Sequence, residues 1–442
     1  MTEALHHTTY QPVTRTSLSA IPQIERLDRS LRETIEVVSA VFPFRTNAYV
    51  IDHLIDWDKV PDDPIYQLTF PQRGMLSDTD YRTVASLIRR GAPAAELRAT
   101  VNAIRLRHNP HPAGQLTHNV PELDGEPLPG LQHKYPETVL FFPSRGQTCH
   151  AYCSYCFRWA QFVGMPDLKF AAREVNGLVR YLRAHPEVSD VLFTGGDPMI
   201  MKTRALHEYI EPLLRPDLAH VQTIRIGTKA LAYWPQRFVT DEDADDLLRL
   251  FEKIIRSGRH VAIMGHYSHP RELSTPVAQR AIARLRAVGC EIRTQAPIIR
   301  HVNDSARTWA SLWRQSVKLG MVPYYMFVSR DTGPKNYFEV PLAESYTIFR
   351  KAYSQVSGLG RTVRGPVMSA TPGKVLINGV TQIGGQRVFV LSFLQGRDPD
   401  WVKRPFFAHY DPAATWLFDL KPAFGAPEQF FDPDATYAPI WR

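Results

Sequence analysis

The sequence predicts an α/β protein: a partial, open (β/α)6 TIM-like barrel with a helical N-terminal addition and a C-terminal extension that is β-rich and aromatic. Three observations predict it. From Val139 onward, short β-branched and aromatic runs alternate with amphipathic segments, the pattern of a parallel sheet with crossover helices. Six such units are counted, fewer than the eight that close a full barrel. Before and after this stretch the pattern changes, which divides the chain into residues 1–132, 133–358 and 359–442.

In chain order, helices are expected near Leu31–Ala40, Tyr81–Arg90 and Ala94–Arg105, followed by a loop rich in Pro, His and Asn from Asn109 to Leu131. The barrel strands are expected near Val139–Pro143, Val191–Phe193, Thr223–Ile226, His260–Met264, Glu291–Gln295 and Pro323–Val328. The helices between and after them are expected near Ala171–His185, Arg204–Leu214, Asp241–Ser257, Pro276–Val288, Ser305–Leu319 and Leu342–Val356. In the third of these, Thr240 can cap the acid-rich turn Asp241-Glu242-Asp243. Leu247, Leu248, Phe251, Ile254 and Ile255 form its apolar face, and Gly258 stops it. Thr275-Pro276 starts the next helix and Gly289 ends it. After Gly365, strands are expected over Lys374–Ile383 and Arg387–Leu394. The tail beyond carries Trp401, Phe406, Phe407, Trp416 and Phe418, a density of aromatics that predicts packing against the barrel or against a second copy in a homo-oligomer.

Composition excludes several classes of function. With 44% apolar and 22% charged residues, wholesale disorder is not expected. No apolar run approaches the roughly 18 to 20 residues that span a bilayer, so no membrane role is expected. Met1–Ser17 is polar and lacks the apolar core of a secretion signal. The net charge of +8 is scattered and interleaved with acids, which favours anionic small molecules or solubility over a nucleic-acid groove.

Three of the four cysteines fall in Cys149-His-Ala-Tyr-Cys153-Ser-Tyr-Cys156. They make no disulfide framework, which fits a reducing cytoplasm. Three thiolates at this spacing can hold a 4Fe-4S cube and leave the fourth iron open to a small molecule, and soft thiolates suit such clusters. A structural zinc site would need a fourth ligand. Cys290 is far downstream, and His150, directly after Cys149, would strain a closed tetrahedron. The spacing, with Tyr155 just before the last cysteine, resembles the radical S-adenosyl-L-methionine (SAM) superfamily. That resemblance implies SAM chelated by the open iron and cleaved to a 5′-deoxyadenosyl radical, with an electron donor such as flavodoxin or ferredoxin.

Further segments carry a more specific likeness. Leu128-Pro-Gly-Leu-Gln-His-Lys-Tyr-Pro136, Phe157-Arg158, Gly195-Gly-Asp-Pro198, Arg225-Ile-Gly-Thr228, Pro235-Gln-Arg237, His266-Tyr-Ser-His-Pro270, Val302-Asn-Asp304 and Pro323-Tyr-Tyr325 occur in that order. From about Ala48 to Lys374 the chain resembles the lysine 2,3-aminomutase family. The resemblance implies an aminomutase that uses the cluster, SAM and pyridoxal phosphate (PLP) to move an α-amino group to the β-carbon of a small amino-acid substrate. Gly195 and Gly196 would let the backbone approach a ligand, Asp197 would position SAM or else cap the following turn, Thr228 would offer a hydroxyl to ribose, and His266 would lie near SAM. Arg158 would hold the substrate carboxylate bidentately. Lys374 falls where the PLP-bearing lysine is expected, and Lys134, Tyr135 and Gln295 resemble positions near the PLP phosphate.

Departures from the family concern cofactor and substrate. Only Gly373 remains of the usual glycine run before the lysine. Where lysine-specific members place aspartates against the distal ammonium, this chain has Arg330 and Ser369, with Asp331 one residue away and able to compensate only by a loop shift. A guanidinium there would repel an ammonium and attract a distal carboxylate, which points to a glutamate-like or other non-lysine substrate. No cysteine follows Cys290, so the C-terminal zinc cluster of lysine aminomutases is not expected. Other readings stay open: a PLP-independent radical SAM enzyme on another substrate, a modifier of a lysine on a partner protein, or a cluster-bearing redox or binding protein without SAM turnover.

Overall fold

The computed structural model describes residues 9–431; Met1–Thr8 of the tail read as lacking a secretion signal, and residues 432–442, lie outside the described residues. An eleven-stranded mixed sheet organises the chain, its strands lying side by side in sequence order. They are β1 (Leu131–Tyr135), β2 (Thr138–Phe141), β3 (Asp190–Phe193), β4 (Thr223–Thr228), β5 (His260–His266), β6 (Glu291–Ile298), β7 (Val322–Val328), β8 (Arg364–Ser369), β9 (Gly373–Ile383), β10 (Gln386–Gly396) and β11 (Pro405–His409). β2 to β8 are parallel; β1 at one side and β9 to β11 at the other are antiparallel.

Helices α1 (Arg29–Val41), α2 (Asp78–Arg89) and α3 (Ala94–Leu106) precede the sheet, as the apolar periodicity predicts. The crossovers are α4 (Asn176–Ala184), α5 (Thr203–Ile210), α6 (Ala244–Arg256), α7 (Pro276–Ala287), α8 (Ala306–Lys318) and α9 (Leu342–Tyr353). Gly258 and Gly289 end α6 and α7 at positive φ (85° and 92°), where a Cβ would be strained. Thr275 caps α7 by accepting from the Ala278 amide.

The structure corrects several expectations. There are seven parallel strands rather than six, because β8 pairs with β7 through Tyr325↔Arg364 and Phe327↔Val367. Gly365-Pro366 interrupts the β pattern in the sequence, and the ladder absorbs the proline with a register shift. β1 lies at the end of the expected Asn109–Leu131 loop. The N-terminal addition is not purely helical, since Pro12–Thr14 pairs with Arg45–Asn47. α4 starts at Asn176 rather than Ala171, because the Ala172 amide is taken by Phe142 O (2.8 Å). Thr240 does not cap α6, and its buried hydroxyl has no partner. The acids that follow are drawn elsewhere, Asp241 to the Trp234 indole (3.0 Å) and Asp243 to Arg237 (3.0 Å), so the helix begins at Ala244.

The sheet's two faces differ in chemistry. Val191, Phe193, Ile224, Ile226 and Ile292 are buried under the helices, packed with Leu247, Phe251 and Ile254 of α6. The alternate residues Asp190, Leu192, Thr223, Arg225, Glu291, Arg293 and Gln295 stay half-buried and share the opposite face. That face is polar, with Arg225 bonded to Asp190 (Nε to Oδ1, 2.8 Å). β1 meets the last parallel strand across it, since Lys134 of β1 bonds Ala370 O just beyond β8. A second apolar core joins β8, β9, β10 and β11 to Phe406, Trp416 and Phe431, so Phe406 and Trp416 of the aromatic tail are packed while Phe418 is 42% exposed. Among the described residues no helix is long and apolar enough to cross a membrane.

Candidate active site

The cysteines lie on the connection from β2 to α4, between two short 3-10 turns (Ser144–Gly146 and Trp159–Phe162) and in no helix or strand themselves, so other segments must hold them. The N-terminal addition holds one side. Arg45 O accepts from the Tyr152 amide (2.8 Å), Leu68 O from the Ser154 amide (2.9 Å) and Gln67 O from the Ser154 hydroxyl (2.7 Å). Asn47 Nδ2 (3.1 Å) and Tyr10 OH (2.9 Å) both donate to His150 O. On the other side, the turn after β3 lies directly against the loop, and the Asp197 amide donates to Gly146 O (3.0 Å) and Thr148 O (2.7 Å).

This contact gives Gly195 and Gly196 a packing role within the protein. Gly195 has φ +138°, and a Cβ there would fall 2.1 Å from Gln147 Nε2; at Gly196 it would fall 2.4 Å from Thr148 N. The close approach is to the backbone just before Cys149. Asp197 and Thr228 are likewise engaged within the protein. The Asp197 carboxylate accepts from the amides of Met199 (2.9 Å) and Lys229 (2.8 Å) and from the Thr228 hydroxyl (2.7 Å), while Thr228 Oγ1 accepts from the Ala230 amide (2.9 Å). Burial lifts the Asp197 carboxyl to about 6 against these bonds. Asp197 thus caps its own turn, the alternative left open by the sequence, and latches β3 to β4. Buried Arg237 secures the same turn by donating to Met199 O (2.9 Å) and Met201 O (3.1 Å).

Cys149, Cys153 and Cys156 are free and half-buried. Burial raises all three thiols, Cys156 to about 12; Cys153 adds to the rise at both Cys149 and Cys156, and Cys156 to that at Cys149. The thiols stay protonated until a cation takes the thiolates. Among the described residues no three His, Cys, Asp or Glu side chains converge on a point fit for one metal ion. A cube that seats each thiolate on a different iron needs a wider triangle, and an all-thiolate donor set suits it. Tyr155 packs beside them, its hydroxyl 3.2 Å from Ser268 Oγ and 3.4 Å from His266 Nδ1 at the end of β5. Burial, with Lys229 nearby, keeps His266 neutral.

Next to the loop lies a group of cations. The Arg158 guanidinium sits 4.3 Å over the Phe142 ring and 5.0 Å from that of Phe157, with Nη1 buried and unbonded. Arg330 sits 4.5 Å from the same Phe157 ring and donates to Ser369 Oγ (3.0 Å). Among the described residues neither guanidinium has a carboxylate within ion-pair reach. Glu339 pairs with Lys335 instead (3.5 Å). The Asp331 carboxyl, raised by burial, neighbours Lys335 and Asp419 as well as Arg330, and its Oδ1 is buried and unbonded.

Lys374 lies on the same polar face. Its Nζ donates to Gln395 Oε1 (2.6 Å) and sits 5.2 Å from the Tyr135 ring and 5.3 Å from that of Tyr325. Burial, reinforced by Arg225 and Arg364, brings its pKa down to about 7. Gly373 is required before it, since a Cβ there would meet Gln395 O at 2.3 Å. The Tyr135 hydroxyl is buried and unbonded, Lys134 is held by Ala370 O, and Gln295 is on the polar face. Arg364, 4.3 Å from the Tyr325 ring, joins this group unannounced by any local sequence signal.

No protein-family model matches the chain. An Aquifex aeolicus (strain VF5) protein with the provisional name L-lysine 2,3-aminomutase is 32% identical over 397 residues, 90% of this chain and 92% of that protein. The chain belongs to the lysine 2,3-aminomutase family of radical SAM enzymes. The L-lysine 2,3-aminomutase of Bacillus subtilis is 26% identical over 72% of this family member and 66% of its own length. That of Clostridium subterminale is 31% identical over 52% of each, so the chain spans about half the length of that relative. A solved radical SAM methyltransferase from Sphaerobacter thermophilus is similar at 16% identity and TM-score 0.35, over 54% of this chain and 68% of the other.

Gly196→Ala is expected to displace the Thr148 backbone and lower iron retained per chain after anaerobic reconstitution at least severalfold. Gly177→Ala, whose Cβ meets only Leu128 at 3.6 Å, should retain iron like the parent. Equal iron in both variants would contradict the packing argument.

Proposed function

We propose that this aminomutase-family enzyme uses a 4Fe-4S cluster, SAM and PLP to shift an α-amino group to the β-carbon of an amino acid other than lysine, favouring one with a second carboxylate. The observation that carries this reading is a chain of cations: Arg158, two residues past the last cysteine, and Arg330 share the Phe157 ring with no carboxylate in ion-pair reach among the described residues, and Arg330 donates to Ser369, the ladder partner of Lys374, whose pKa is about 7. We read the sheet as an open partial barrel, β1 bridged to the end of the parallel strands by Lys134 and Ala370.

The residues present fit the implied groups. Cys149, Cys153 and Cys156 would hold the cluster, which with SAM supplies one-electron chemistry able to open an unactivated C–H bond. Tyr155 and His266 border the space next to it. Lys374, Lys134, Tyr135 and Gln295 would hold PLP, which supplies a π-system through which an amino group can migrate. The cations and the unbonded Tyr135 hydroxyl suit its phosphate. Arg158, two residues after Cys156, is available to grip the substrate α-carboxylate with a planar fork and fix the β-carbon near the cluster.

Arg330 supports the choice of substrate. A like charge about 4 Å from a guanidinium costs on the order of 1 to 4 kcal/mol between fully solvated and surface-like dielectric, which disfavours a lysine ammonium roughly five- to thousandfold. A distal carboxylate gains the same contact, with Ser369 Oγ beside it. The cluster and thiols suit a reducing cytoplasm and an electron donor of the flavodoxin or ferredoxin type.

Two outcomes follow. With its amine losing a proton near pH 7, Lys374 becomes nucleophilic well below the ordinary lysine range near 10.4. Borohydride trapping of added PLP should therefore label Lys374 with a yield that rises through about pH 7 and then levels off. A yield that climbs only towards pH 10, or label on another lysine, would contradict the assignment. In the holoenzyme, deuterium exchange from labelled amino acids into 5′-deoxyadenosine should favour glutamate or aspartate over lysine, and Arg330→Asp should shift the ratio towards lysine at least tenfold. Preferential exchange from lysine in the parent enzyme would overturn the substrate assignment.

A further inference from the structure

One cysteine ligand is treated differently from its neighbours. The Cys153 sulfur lies 3.3 Å from the hydroxyl of Tyr233, a residue 1% exposed at the end of the short helix Ala230–Tyr233. Tyr233 is fixed from behind, because Asn47 Nδ2 donates to its carbonyl (3.1 Å) and also to His150 O in the cysteine loop (3.1 Å). Over the Tyr233 ring, 4.7 Å from its centroid, stands the Lys229 ammonium. Glu272, fully buried, holds that ammonium at 2.7 Å, and its other oxygen accepts from the amides of Ser268 and His269. Lys229 also donates to His266 O (3.1 Å) and Ser268 Oγ (3.3 Å).

The arrangement exceeds what packing requires. A phenylalanine would fill the Tyr233 space, and burying an ammonium costs several kcal/mol unless its partners are well placed. We propose that Tyr233 and Lys229 are positioning residues that act through Cys153 to raise the reduction potential of the cluster. The inference rests on the cluster reading given above. An iron-bound thiolate carries no proton, so the Tyr233 hydroxyl can only donate to it. When the oxidised cluster takes one electron from an external reductant, it gains one negative charge, shared with its thiolate ligands. The hydroxyl donor and the ammonium behind it stabilise that added charge, and Glu272 offsets the ammonium only in part because its own charge is shared with two amides. Hydrogen bonds to sulfur and local charge are established levers on such potentials.

The test is a mediator-buffered dithionite titration of the reconstituted cluster, followed by electron paramagnetic resonance without SAM, PLP or substrate. Tyr233→Phe should lower the midpoint potential so that the ratio of reduced to oxidised cluster at a fixed potential falls about tenfold, 59 mV for a one-electron couple. Lys229→Gln, which keeps the hydroxyl, should shift it in the same direction. If Tyr233→Phe loses its iron, Lys229→Gln decides alone. Tyr49→Phe, which removes a buried hydroxyl bonded to Thr275, should keep the parent potential. A cluster-bearing Tyr233→Phe and Lys229→Gln pair at the parent potential would overturn this inference and leave the cluster reading intact. Parent protein that binds no iron would sink both.

Discussion

The rest of the site depends on keeping three thiols together on a stretch of chain that has no ladder or helix of its own. A bare loop of that length would need ordering at roughly 1 to 2 kcal/mol per residue. The protein meets this constraint from two sides. Carbonyls of Arg45, Gln67 and Leu68 receive the loop's donors, and the turn at Gly195–Asp197 receives its backbone from below. The N-terminal addition is thus half of the cradle for the cysteines, although it lies outside the parallel strands. The latches that fix the turn, Asp197 to Thr228 and Arg237 to Met199, tie the loop in turn to β3 and β4.

A second constraint is electrostatic. Among the described residues, Arg158, Arg330, Lys134 and Lys374 have no carboxylate within ion-pair reach, although Asp331 acts on Arg330 and Asp190 on Lys374, and each cation has its proton affinity lowered by burial. A chain keeps such an arrangement only if anions complete it, because unpaired buried charge is among the most destabilising features a fold can carry. The phosphate of PLP and the carboxylates of an amino acid are anions of the right kind. Burial first, and then Arg225 and Arg364, bring Lys374 down to about 7, which under the proposed function readies its amine as a nucleophile.

Much of this was legible in the sequence where the signal was local. Six strands, their crossover helices, the glycine stops of α6 and α7 and the Thr275 cap follow from periodicity and capping chemistry. β8 was hidden by Gly365-Pro366, whose residue types argue against a strand until a neighbouring strand supplies the pairing. β1 was masked by the polar run before it. Thr240 looked like a cap because its sequence context is right, but Trp234 and Arg237 compete for the acids after it. At the site, the cysteines stood out by their spacing, whereas Arg158 and Lys374 were singled out by the family resemblance. The glycine turn was read as a backbone approach to a ligand; its tight packing on Gln147 and Thr148 was not legible locally. Tyr233, Lys229 and Arg364 were not readable, because their meaning arises only from neighbours distant in sequence.

The most direct measurement is Mössbauer spectroscopy of the iron-57-reconstituted parent protein, kept free of oxygen, before and after SAM is added. The account predicts about four irons per chain, with the signal of a single iron altered by SAM and the others unchanged. Iron that is absent, bound singly, or wholly indifferent to SAM would contradict it.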